Sequence, residues 1–150
     1  MPMGWLFGFL TKHYIGYLSK RLAETPLEKH VYPFYLIAKN DGKINQQQLA
    51  DQLLIDKVSM VRILDHLSEL ELIERITNKE DRRKHFLAIT QKGKPWIQEV
   101  EQAIQETDKV FLSLVSEHSR ADFHKELIEL NKQVMQLPVN DFELFYNLKK

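Results

Sequence analysis

The 150-residue sequence contains no cysteine, which excludes disulfide staples, zinc-thiolate sites and thiol-based oxidant sensing and suits a reducing compartment. Glycine is scarce, at five residues, and none of them forms a phosphate-cradling run. No serine, histidine and aspartate set is spaced around a nucleophile elbow either, so catalysis has little to stand on. Charge of one sign is not in excess: 21 basic side chains meet 21 acidic ones, and the whole-chain balance gives no support to a polyanionic partner. Long apolar runs are missing too. The nearest, Met3 to Leu10, has no positive flank and no small-residue cleavage site, and it is far shorter than the ~20 residues that span a bilayer. The expectation is a cytoplasmic protein with no membrane partner and no cofactor. With no repeat, low-complexity tract or separating linker, one domain over 1–150 is expected.

What is present is helical periodicity. Residues 3 to 24 place apolar side chains at Leu6, Phe9, Leu10, Tyr17, Leu18 and Leu22, the recurrence of one long helix. Thr25-Pro26-Leu27-Glu28 carries the marks of a helix start, with Thr25 as N-cap, Pro26 at the first helical position and Glu28 placed for a capping box. This second helix should run to Lys39. Pro33 lies inside it and cannot donate an i→i−4 bond, which predicts a kink or a later start.

Asn40 to Lys43 reads as a turn, after which Asn45 caps a helix over 46–54. Asp56 caps another, over 56–71, and a break of one or two residues between them makes a helix-turn-helix. Leu72 to Ile76 and Phe86 to Thr90 have strand character and flank a polar loop, so a β-hairpin is expected. Two more amphipathic helices follow, over 95–116 and 120–137, and the tail holds Phe142, Leu144, Phe145 and Tyr146. The predicted fold class is mainly α with a small β-hairpin wing: a winged helix-turn-helix over 27–93, flanked by helices over 1–24 and 95–150.

Charge is concentrated where the hairpin falls. Arg75, Lys79, Arg82, Arg83, Lys84, Lys92 and Lys94 face only Glu80 and Asp81, a local net of +5 in a neutral chain. Such a segment is either a solvated loop or a phosphate-facing footprint. On the helix from Asp56, Met60, Ile63, Leu64, Leu67 and Leu70 share one arc, while Val58, Ser59, Arg62, His66 and Glu69 share the opposite one. An ordinary surface helix shows the same split. Valine, serine and arginine, however, are types that meet thymine methyls, base edges and guanine O6/N7 in a major groove. A basic hairpin just behind them can reach phosphates and put a guanidinium into a narrow minor groove, although a hairpin can also be no more than the lid of a small core.

The runs Leu49-Ala50-Asp51-Gln52-Leu53, Ser59-Met60-Val61-Arg62-Ile63-Leu64-Asp65-His66-Leu67 and Leu72-Ile73-Glu74-Arg75 resemble the core of the MarR (multiple antibiotic resistance) regulators, and their SlyA-like branch in particular. Asp81-Arg82-Arg83 followed by Ile89-Thr90 is similar to the family's D-x-R-x5-L-T wing signature, with Ile89 in the leucine position. The resemblance implies a homodimer formed by interleaved terminal helices, binding double-stranded DNA at a palindromic operator as a transcriptional regulator, with repression the expected sign. It implies that Arg83 enters a minor groove, that Ser59 and Arg62 lie in the major groove, and that Gln46 and Gln47 touch phosphates. The expected DNA contacts are thus Gln46, Gln47, Lys57, Val58, Ser59, Arg62 and His66 on helices, and Lys79, Asp81, Arg82, Arg83 and Lys84 in the wing. Two departures stand out: Glu71 replaces the glycine that usually ends the reading helix, and Pro33 is unusual within the second helix.

Trp5, Phe9, His13, Tyr14, Tyr32 and Tyr35 are either core or the lining of a pocket for a small aromatic or phenolic effector. Six histidines invite a metal site, but His118 and His124, among Glu117, Asp122 and Glu126, are six residues apart and on different helix faces, so none is expected. The alternative to DNA binding is a winged-helix module that docks protein through the same face; an enzyme or small-molecule carrier with an aromatic pocket is a third.

Overall fold

Two capping residues mark out the centre of the fold in the computed structural model, which describes residues 1–77 and 85–138. The Asn45 side chain accepts the backbone N–H of Gln48 at 2.9 Å, and the Gln48 side chain accepts that of Asn45 at 3.0 Å. This reciprocal box opens α3, Gln46–Leu53. Leu54 then turns the chain with a left-handed φ of 53°, and Asp56 accepts from the Ser59 N–H at 2.9 Å to open α4, Lys57–Glu69. α4 stops short of the expected Glu71 because Glu71 itself adopts φ 60°. The N–H groups of Leu72 and Glu71 bond back to the carbonyls of Leu67 and Ser68 at 3.0 and 2.9 Å, the Schellman arrangement that glycine normally permits.

Upstream, α1 is Met3–Arg21 and α2 is Val31–Lys39. The later start is the one that Pro33 allows. At the third helical position its missing N–H would have had no intrahelical partner, and the first i→i−4 bond is Phe34 to His30, at 3.1 Å. The start signal at Thr25 is spent on a turn instead. Its hydroxyl donates to the Leu22 carbonyl at 2.8 Å and accepts from the Leu27 N–H at 3.2 Å, while Glu28 accepts from the Ser19 hydroxyl at 3.3 Å.

The hairpin strands are β2, Ile73–Thr77, and β3, His85–Ile89, each one residue away from the expected span. They pair antiparallel with Ile73 opposite Ile89. A strand absent from the sequence reading, β1 at Ile44–Asn45, joins the other edge of β3, with Ile44 opposite Leu87, giving the order β1-β3-β2. Two residues inside a turn-and-cap segment carry no alternation to detect. The turn before β1 is stitched to β3 by Gly42 N–H to the Leu87 carbonyl at 2.9 Å and by Ile89 N–H to the Asp41 carboxylate at 2.7 Å.

Helix α5 is Lys94–Ser113. The chain divides into two compact units, residues 1–110 and 111–150. In the first, Leu22, Phe34, Leu49, Met60, Leu64 and Val100 are fully buried, drawing α1 to α5 onto one core; each such side chain contributes about 1.5–3 kcal/mol relative to exposure. Polar ties join α5 to α1 and α2. Lys39 pairs with Glu101 at 2.7 Å, Arg21 pairs with Glu106, and Tyr14 donates to Asp108. The described part of the second unit holds a short 3₁₀ turn, Glu117–Ser119, and α6, Arg120–Val134, which buries none of its residues. Phe123, Leu127, Ile128, Leu130 and Val134 are all exposed. The aromatic residues expected at 142–146 lie outside the described residues. Among the described residues, no helix is long and apolar enough to cross a membrane.

Candidate nucleic-acid interface

The amphipathic split of α4 decides what it presents. Met60, Leu64 and Leu67 are buried, which turns Lys57, Val58, Arg62, Asp65, His66 and Glu69 outward, all exposed. Val58 is 62% exposed, an apolar side chain left in water on the first turn of a capped helix. Arg62 has no ion pair among the described residues.

Ser59 is half-buried beside the cap. Hydrogen bonds from its hydroxyl first and its backbone N–H second hold the Asp56 carboxyl below its ordinary value. The Ser59 hydroxyl, which can both donate and accept, stands beside this cap. Gln46 and Gln47 open α3 as expected; Gln46 is half-buried and Gln47 exposed, its amide donating to Asp51 at 2.8 Å. His66 meets the half-buried His30 ring edge-on, with centroids 5.2 Å apart.

Sequence reasoning missed the link between α4 and the hairpin. Arg75 on β2 donates through Nη2 to the Asp65 carboxylate at 2.8 Å. The two residues are ten apart with no periodic relation, and only the return of the chain after the left-handed Glu71 brings them together. Glu71 is itself held at the base of the hairpin: its carbonyl accepts the Thr90 hydroxyl, and its carboxylate, kept below the ordinary range by a hydrogen bond and charge from Lys92, pairs with Lys92 at 2.7 Å. Lys79, Asp81, Arg82, Arg83 and Lys84, the expected wing contacts, lie outside the described residues.

The six aromatic candidates separate into two groups. Trp5, Phe9 and His13 stand exposed on α1, where Phe9 and His13 stack one helical turn apart at 5.3 Å. Tyr14, Tyr32 and Tyr35 are half-buried. A cavity of about 230 Å³ lies between α1, the start of α2 and the α3–α4 pair, with Leu18, Val31, Tyr32, Leu53, Ile55 and Ile63 among its walls and Glu28 and Lys29 at its polar edge. Of the six candidates, Tyr32 alone lines it. Among the described residues, no three histidine, aspartate or glutamate side chains cluster as a metal site would need.

Comparison with known proteins agrees with this geometry. Residues 34–84 match the model of the MarR family. A protein of Thauera aromatica named as a transcriptional regulatory protein for the hcr operon is 32% identical over 105 residues, 70% of this chain; the chain spans 63% of that relative's length. A MarR-family regulator of Listeria monocytogenes, solved with a 26mer DNA, has a similar fold, with a TM-score of 0.79 at 19% identity over 95% of this chain and 99% of that one. CouR of Rhodococcus jostii RHA1, solved with p-coumaroyl-CoA, gives 0.73 at 20% identity over 93% and 95%. At such identities the likeness is one of fold. Over residues 34–84, which hold the helix-turn-helix, the chain is similar to the MarR family, and it shares the fold of that family's solved members.

Proposed function

We propose that this protein binds double-stranded DNA as a homodimer and represses transcription from a palindromic operator in the cytoplasm. The observation that carries this reading is the first half of α4, where exposed Lys57, Val58 and Arg62 and the half-buried Ser59 share the outward side of a capped helix backed by the hairpin. A valine projecting into solvent fits a thymine methyl, and an arginine that has no ion pair among the described residues fits guanine O6/N7. The Ser59 hydroxyl, able to donate or accept, fits a base edge or a phosphate. Gln46 and Gln47 fit phosphates, and Arg83 of the wing fits a minor groove.

Dimerisation is supported by apolar surface that one copy leaves in water: Trp5, Leu6, Phe9 and Leu10 on α1, and Phe123, Leu127, Ile128 and Val134 on α6. Exposed apolar groups in such number mark interaction surfaces. A two-fold dimer also supplies the two reading helices that a palindrome requires. The apolar cavity beside α3 and α4 fits a small aromatic effector. Such a ligand relieves repression only to the extent that it prefers a dimer whose reading helices are wrongly spaced.

The test is selection of bound duplexes from random DNA, followed by a salt series. Binding through several phosphates weakens steeply with ionic strength. A flat salt response, or unchanged binding in the Arg62→Ala/Arg83→Ala variant, overturns the reading and favours a protein-docking module. Light scattering that finds a monomer at micromolar concentration removes the two-fold reader.

A further inference from the structure

We propose that Arg75 is a positioning residue for base reading, holding the Asp65 carboxylate away from Arg62 and neutralising it at the surface that meets DNA. The inference rests on the DNA-binding function proposed above. On α4, Asp65 lies three residues after Arg62, the spacing at which opposite charges meet on a helix, and both side chains are exposed. Left to itself, Asp65 pairs with Arg62 and blocks the guanidinium, or it faces the phosphates as a bare negative charge. In the structure it does neither, because Arg75 reaches across from β2 and donates to its Oδ1 at 2.8 Å.

An exposed pair of this kind adds little to stability. Its effect is on where charge sits. The pair is neutral as a unit, and Arg62 remains without an ion pair among the described residues. The Schellman turn at Glu71 decides whether Arg75 arrives at all, since it sets the direction in which β2 leaves α4. Reading helix and hairpin are thereby coupled through one carboxylate at the surface, besides the backbone that joins them and the core that Leu64, Leu67, Ile73 and Ile89 share.

The experiment compares the wild-type chain with Arg75→Ala, Arg75→Lys, Asp65→Asn and Arg75→Ala/Asp65→Asn. Each is titrated by fluorescence anisotropy against a duplex selected by the wild-type protein, over a salt series, with thermal melts alongside. Arg75→Ala is expected to bind about tenfold more weakly, from a like-charge contact at the interface. Arg75→Lys and Asp65→Asn should stay within about threefold of wild type, and the double variant should recover most of the loss, the signature of coupled residues. Melting temperatures should stay together, which a merely structural role would not allow. The proposal is overturned if Arg75→Ala binds like wild type, or if the double variant is no better than Arg75→Ala. In the latter case a salt slope lower by about one marks Arg75 as a plain phosphate contact. Weakened binding by Asp65→Asn alone overturns it as well, making Asp65 a base contact. If the wild-type chain selects no duplex, the DNA-binding reading fails and this inference with it; if it selects one and Arg75→Ala is unaffected, only the positioning role fails.

Discussion

The Tyr14 hydroxyl on α1 donates to the Asp108 carboxylate on α5 at 2.6 Å, a bond spanning 94 residues of sequence and closing α1 onto α5. Tyr32 of α2 joins it as a hydrogen-bond partner of Tyr14. Burial first, then hydrogen bonding to Asp108 and Tyr32, pushes the Tyr14 phenol well above its ordinary value; burial does the same for Tyr32. Removing the donor with Tyr14→Phe should cost about 1.5–3 kcal/mol in urea denaturation, the range for a hydrogen bond to a charged acceptor. Both phenols titrate higher in the folded protein, so their stabilisation is complete below about pH 10 and lost as pH rises beyond it. Tyr14→Phe should flatten that alkaline loss. An unchanged alkaline slope refutes the assignment.

Leu54 should tolerate glycine better than leucine. It is 82% exposed with φ 53°, so its side chain gains almost nothing from packing while its Cβ strains a left-handed turn. Leu54→Gly is expected to stabilise by about 1 kcal/mol. Glu71→Gly should act in the same direction, less the exposed pair with Lys92. Lower melting temperatures for both variants would contradict the strain argument.

Gly93 is irreplaceable for a different reason. A Cβ there would stand 2.2 Å from the Leu72 carbonyl oxygen and 2.9 Å from the Ile89 side chain, and backbone cannot step aside as a side-chain tip can. Gly93→Ala should destabilise by roughly 2–3 kcal/mol, at the upper end for overpacking, and loosen the joint between β3 and α5. A melting temperature equal to wild type would show that the joint has slack.

Acid should weaken the fold through His30. Burial, with lesser contributions from the charges of His66 and Lys29, holds its imidazole below the ordinary value, and a backbone hydrogen bond at Lys29 opposes them only in part. The unfolded chain therefore takes up the proton first. The stability His30 contributes is present above about pH 6.5 and lost as pH falls through the folded value. Denaturation midpoints at pH 7.5 and pH 5.5 should diverge more for wild type than for His30→Gln; equal divergence would place the acid sensitivity elsewhere.

Local chemistry was legible where a residue acts on its own neighbours. Asn45 and Asp56 cap the helices that their side chains announce, because a cap needs only a backbone N–H a few residues on. The burial of Met60, Leu64 and Leu67 followed from helical period alone, and with it the outward face of α4. Thr25 shows where that logic stops: the same start signal serves a turn equally well, and Pro33, eight residues on, favoured the later helix.

The sequence by itself thus determined the helix-turn-helix, its order before the hairpin and the side chains it turns outward, since periodicity and caps are short-range. Only the tertiary structure decided that Ile44 and Asn45 form a third strand, that Tyr14 meets Asp108, and that Arg75 rather than Arg62 holds Asp65. Those contacts depend on the direction in which the chain returns after Leu54 and Glu71, two left-handed turns made without glycine. A non-glycine residue carries no sequence mark of that conformation; only the packing around it makes the strain worth bearing.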